Sequence, residues 1–89
     1  MINKEILFSK KFNKQYKKLP PAIQSRFTAQ LVLWSREPMN PSLSHHVLVG
    51  ELAGFHSINV GGDIRALYRE YGSDTIVFER IGSHSQLYG

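Results

Sequence analysis

Between residues 12 and 34 the apolar side chains Phe12, Tyr16, Leu19, Ile23, Phe27, Leu31 and Trp34 recur every three or four positions, the spacing of one helix face. Pro20-Pro21 breaks the run. A proline inside a helix removes a hydrogen bond and clashes with the preceding turn, whereas Pro21 suits the first turn of a new helix. The spacing therefore predicts a helical hairpin, with helices near 9–18 and 21–36, ended by Pro38 and Pro41 and preceded by a strand over 3–8. Beyond residue 46 the helical period is gone. Short apolar runs at 47–49, 55–60, 64–71 and 75–81, separated by Gly, Asp and Ser, read as strands. The turns Gly61-Gly62 and Gly72-Ser73-Asp74 are short enough to make the last three an antiparallel meander. The expected class is α+β: an N-terminal strand and a helical hairpin packed on one face of a small, mostly antiparallel twisted sheet, the other face open. A chain of 89 residues allows one domain, 1–89, which buries only about 60–65% of its unfolded surface.

Charge is uneven along the chain. Residues 1–37 hold six Lys and two Arg against two Glu, a net +6, while residues 38–89 sum to −2, giving +4 overall. All the lysines lie in the first eighteen positions, and Lys10, Lys11, Lys14, Lys17 and Lys18 fall on the side of the first helix away from Phe12 and Tyr16. Such an edge suits RNA or an acidic protein partner, and equally a solvated helix face. Without cysteine there are no disulfides, thiolate nucleophiles or cysteine zinc sites, which fits a reducing compartment. The apolar run in 1–8 is too short and too interrupted by charge for a signal peptide or a membrane span, so a cytoplasmic location without membrane association is expected.

Four histidines, His45, His46, His56 and His84, raise the question of a metal. Their spacing argues against one, since His45 and His46 are adjacent and no HxxxH pair stands on a helix, and no cofactor is expected. His45 and His56 read as satisfied surface or core residues. His84 has different company. Residues four apart project to similar sides in a helical turn and in an extended tail alike, so His84 and Tyr88 share a surface either way. Asp63 and Arg65 are two apart at the start of a strand, the Gly61-Gly62 turn brings Asn59 opposite them, and Arg80 lies on the neighbouring strand. A surface ion pair capping the hairpin, with Tyr88 docking the C-terminal segment, accounts for the same spacing. The functional reading is metal-independent RNA cleavage by 2′-hydroxyl attack. Histidine exchanges protons near neutrality, the arginine fork holds the charge developing on phosphate, and an aromatic ring stacks an unpaired base.

His46-Val47-Leu48-Val49-Gly50, Gly54-Phe55, Gly62-Asp63, Leu67-Tyr68 and the closing Phe78-Glu79-Arg80-Ile81-Gly82-Ser83-His84 through Leu87-Tyr88-Gly89 together resemble the RelE superfamily of toxins from type II toxin-antitoxin modules, most of all its YafQ branch. The resemblance implies an endoribonuclease that cuts mRNA in the ribosomal A site and is masked by a cognate antitoxin; the implied partners are that antitoxin, the ribosome and mRNA. Carried over by position, it implies a site of His46, Asp63, Arg80, His84 and Tyr88. Asn59 stands where a further histidine is expected, and Arg65 where RelE and YoeB relatives carry a catalytic arginine. The expected roles are His84 as general acid, His46 or Asp63 as base, Arg65 and Arg80 on the phosphorane and Tyr88 on the base or sugar. Lys10, Lys11, Lys14, Lys17, Lys18 and Asn59 are the expected RNA-binding residues. Two other readings share the fold: a ParE-like DNA gyrase inhibitor, and a catalytically inactive RNA- or ribosome-binding module, which Asn59 would explain.

Overall fold

A computed structural model describes residues 4–88. Ser9 joins the first strand, β1 (Glu5–Phe8), to the first helix, α1 (Lys10–Lys17). Its hydroxyl accepts the Phe12 N–H, a helix cap, and donates to the Glu79 carbonyl on the last strand, tying the helix start to the sheet. The second helix, α2 (Pro21–Arg36), begins at the predicted proline. Four further strands follow: β2 (His46–Val47), β3 (His56–Gly61), β4 (Ile64–Tyr71) and β5 (Thr75–Ser83). A short helix, α3 (His84–Tyr88), comes last. The sheet order is β1-β5-β4-β3-β2. The predicted meander is present, with β3, β4 and β5 antiparallel in sequence, and β1 lies parallel to β5.

Both helices of the hairpin pack on one sheet face. Phe12, Phe27, Trp34, Ile58, Tyr68 and Phe78 are buried between the two layers as the main core. The face expected to be open is partly covered. There Leu87 of α3 packs with Phe55 and Leu67 as a second, smaller core. Leu87 follows a histidine and two polar residues, so no apolar period announces a helix there. The predicted strand at 47–49 is shorter and shifted to His46–Val47, because the chain turns at once into a 3₁₀ turn, Gly50–Leu52, leaving Val49 86% exposed. Residue 3 of the predicted first strand and Gly89 lie outside the described residues.

Candidate functional site

Strand register decides which side chains meet. His46 pairs with Ser57, Ser57 with Leu67, and Leu67 with Arg80, so these four form a row across the face opposite the helical hairpin. Asn59, Arg65 and Gly82 form the adjoining row. β5 ends above these rows in Ser83, where α3 begins. Ser83 Oγ accepts the Gln86 N–H at 3.2 Å and Gln86 Oε1 accepts the Ser83 N–H at 2.8 Å, a reciprocal capping box. Gly82 allows this geometry, since a Cβ there would meet Gln86 Oε1 at 2.8 Å. The box makes the tail helical, and the His84 and Tyr88 rings stand 4.5 Å apart on one side of α3. The His84 N–H donates to the Asp63 carbonyl at 3.0 Å, which locks α3 against the β3–β4 turn.

Tyr88 and Arg80 line one hollow of about 390 Å³ together with Leu87, Leu52, Val49 and Glu51. Phe55 positions the cations. The Arg69 guanidinium carbon lies 4.1 Å from its ring centroid and that of Arg80 lies 5.2 Å away. Glu79 is occupied by the Tyr71 hydroxyl at 2.7 Å and by Arg69 Nε at 3.6 Å. Among the described residues Arg80 makes no ion pair. An arginine held on an aromatic ring beside a hollow is available to a phosphate.

The expected residues therefore separate into groups. Tyr88 and Arg80 line the hollow, His84 stands against the Tyr88 ring, and Asp63 is joined to His84 through its backbone. Asp63 lies in the turn before β4, not in the strand, and its side chain is exposed. Arg65 is turned away: its Nη1 donates to Asn59 Oδ1 at 2.8 Å, to the Gly62 carbonyl at 3.0 Å and to the Ile64 carbonyl at 3.1 Å. The turn is thus capped by Arg65 through an amide and two carbonyls, and among the described residues no ion pair forms there. His46 shares Arg80's row but stands at its far end on the edge strand, three strand spacings or about 14 Å away, its Nδ1 2.8 Å from the Ser44 carbonyl oxygen. The lysines of α1 are exposed on the helical layer, and only Lys18 reaches toward α3, lining a hollow with Gln15, Leu19, Ile81 and Gln86. Sequence reasoning missed Phe55, Arg69, Ser83 and Gln86. The last two carry a readable signal, the S-x-x-Q of a capping box; Phe55 and Arg69 carry none, because only strand pairing brings them to Arg80. Among the described residues no cluster of three or more His, Asp or Glu side chains surrounds a common point.

A family model described as the bacterial toxin of type II toxin-antitoxin system, YafQ, matches residues 4–89. The chain belongs to the YafQ toxin family. Its fold is that of the YafQ toxins of known structure. Similar structures include the Escherichia coli DinJ-YafQ toxin-antitoxin complex, 22% identical with a TM-score of 0.79, covering 99% of this chain and 100% of that one. YafQ from E. coli strain BL21(DE3) is 21% identical with a TM-score of 0.74, covering 97% and 99%. The toxin-antitoxin complex RelBE2 from Mycobacterium tuberculosis is 28% identical with a TM-score of 0.73, covering 93% and 100%. No curated protein sequence matches the chain. As a YafQ-family toxin it belongs to a type II toxin-antitoxin system, and among its described residues no helix is long and apolar enough to cross a membrane.

Proposed function

We propose that this YafQ-family toxin is a ribosome-dependent endoribonuclease of the cytoplasm that cuts mRNA in the A site. The observation that carries the reading is one hollow on the sheet face opposite the helical hairpin, lined by Arg80 and Tyr88, with the His84 ring 4.5 Å from that of Tyr88. In the proposed step the 2′-oxygen attacks the adjacent phosphorus while its proton passes to a base. The bond from phosphorus to the 5′-oxygen breaks, and the His84 imidazolium protonates the leaving oxygen. The products are a 2′,3′-cyclic phosphate and a 5′-hydroxyl, and no metal or cofactor takes part. Arg80 neutralises the nonbridging oxygens and Tyr88 stacks on the nucleobase. Asp63 is the base, because its backbone bond to His84 puts it beside the acid, while His46 stands about 14 Å from Arg80 and binds the neighbouring nucleotide. Arg65 supports the turn that presents Asp63, and the α1 lysines meet ribosomal RNA.

The partner that silences it is a cognate antitoxin. The DinJ-YafQ and RelBE2 complexes support this, as does an apolar hollow of about 250 Å³ between β1 and the helices, lined by Phe8, Phe12, Tyr16 and Phe27 among others. The test is primer extension on mRNA held in ribosomes programmed at a defined codon, with a ribosome-free control. A cut inside the A-site codon that vanishes in a folded His84→Ala protein is expected. Intact mRNA accompanied by DNA damage in cells would favour gyrase inhibition. Ribosome binding without product would make the chain an inactive binding module.

A further inference from the structure

On the helix-side face, opposite the candidate site, the fold assembles a second polar cluster that no step above uses. His56 pairs with Tyr68 across β3 and β4, their rings stacked at 4.6 Å and 9°. His45 comes in from the segment before β2 and stacks on both, 5.3 Å from the His56 ring. Glu70, two residues beyond Tyr68, places Oε1 3.3 Å from His56 Nε2, and Lys4 Nζ holds its other oxygen at 2.8 Å. A carboxylate beside Nε2 keeps the ring proton on that nitrogen and leaves Nδ1 with a bare lone pair. That Nδ1 faces His45 Nε2 at 3.3 Å, and His45 Nε2 is itself 2.8 Å from the Tyr68 hydroxyl. Two imidazole nitrogens and a phenol oxygen thus lie within 3.3 Å of one another along this chain of contacts.

We propose that His45 Nε2 and His56 Nδ1 chelate a single divalent ion of the zinc, copper or nickel class, with the Tyr68 hydroxyl oxygen as a weaker third donor and water completing the shell. The distances fit. Two nitrogens bound tetrahedrally to zinc at about 2.0–2.1 Å lie about 3.3–3.4 Å apart, the separation seen here. Imidazole suits these ions, and a carboxylate on the far nitrogen of a ligating histidine is the usual outer partner, the place Glu70 fills. The His56 side chain keeps 19% of its surface exposed, which leaves a route for the ion. With two imidazoles and a phenol the site is weaker than a four-ligand structural zinc site, so its occupancy is reversible by chelator. Spacing along the chain does not bring these ligands together; strand pairing and the approach of the segment before β2 do. An ion here would fasten the segment carrying His45 and His46 to the β3–β4 core.

The test is calorimetric titration of the chelator-treated, tag-free full chain with zinc chloride. One-to-one binding is expected in the wild type and in a His46→Ala/His84→Ala double variant, which lacks both exposed histidines. Affinity should fall at least tenfold in His45→Gln and in His56→Gln, with folding checked by circular dichroism. Should either variant fail to fold, the ring proton resonances of the wild type decide the matter: zinc must shift those of His45 and His56. No binding by the wild type, binding undiminished in folded His45→Gln and His56→Gln, or shifts confined to His46 and His84 would overturn the proposal.

Discussion

His84, Arg80 and Arg65 illustrate how little residue type says without its partners. Both arginines stand on adjacent antiparallel strands, yet Arg65 spends Nη1 on Asn59 and two carbonyls, while Arg80 rests over Phe55 beside the hollow. Arg80→Ala is accordingly expected to lower single-turnover cleavage on programmed ribosomes by about 10²–10³-fold, the loss of a donor aimed at developing charge. Arg65→Ala should lower the rate far less and act mainly on stability, by about 1 kcal/mol in urea denaturation. Equal losses of rate would return Arg65 to the phosphate. For His84→Ala a fall of about 10²–10⁴-fold is expected, with an unchanged circular dichroism spectrum.

At the scale of the element, α3 has five residues, too few to be stable by itself, and it holds through its ends and one anchor. The Ser83–Gln86 box closes its start, the His84 N–H bond to Asp63 ties it to the β3–β4 turn, and Leu87 enters the second core. Ser83→Ala removes the hydroxyl from the box and is expected to cost about 1 kcal/mol of stability. Cleavage should suffer more than that figure suggests, because the same box sets the orientation of His84 and Tyr88. Comparing the urea midpoint with the cleavage rate in one variant checks this, and an unaltered rate would detach α3's capping from the chemistry. The corresponding device at Ser9 ties α1 to β5 and lies away from the hollow, so Ser9→Ala should cost stability alone.

For the whole molecule, the two cores differ in what they support. The main core between helices and sheet contains Trp34 at 0% exposure, packed edge-on to Tyr68 and Phe78. Trp34→Ala should cost about 3–5 kcal/mol, against a total of about 5–15 kcal/mol for a domain, so thermal melting should show a largely unfolded protein at 37 °C. Stability should also depend on pH through the His45 cluster. Burial lowers His45 in the folded chain from 6.5, and Glu70 opposes this shift only weakly. The unfolded chain then takes up its proton first as pH falls through 6.5, so this contribution is present above that value and lost below it. Glu70, held below 4.5 first by Lys4, contributes above 4.5 and is lost as pH falls further. In metal-free buffer Tm should therefore fall between pH 7.5 and 5.5, and His45→Gln should flatten that slope. An unchanged slope in the variant would remove His45 from the account.

The sequence alone determined the two long helices and the meander, because their signals are local: a three-to-four-residue apolar period, prolines at a helix start, glycines in tight turns. It also placed His84 with Tyr88, since a spacing of four residues brings side chains together in a helix. Ser83 and Gln86 carry the capping signal for α3, although spacing alone left that tail either helical or extended. What the tertiary structure decided depends on register between distant strands, which no local pattern encodes. The parallel seating of β1 on β5, the shared Phe55 ring under Arg69 and Arg80, and the meeting of His45 with His56 all arise there. So does the diversion of Arg65 into its turn: a short antiparallel hairpin places Asn59 directly opposite, and the nearest acceptors take up the Nη1 end of the guanidinium.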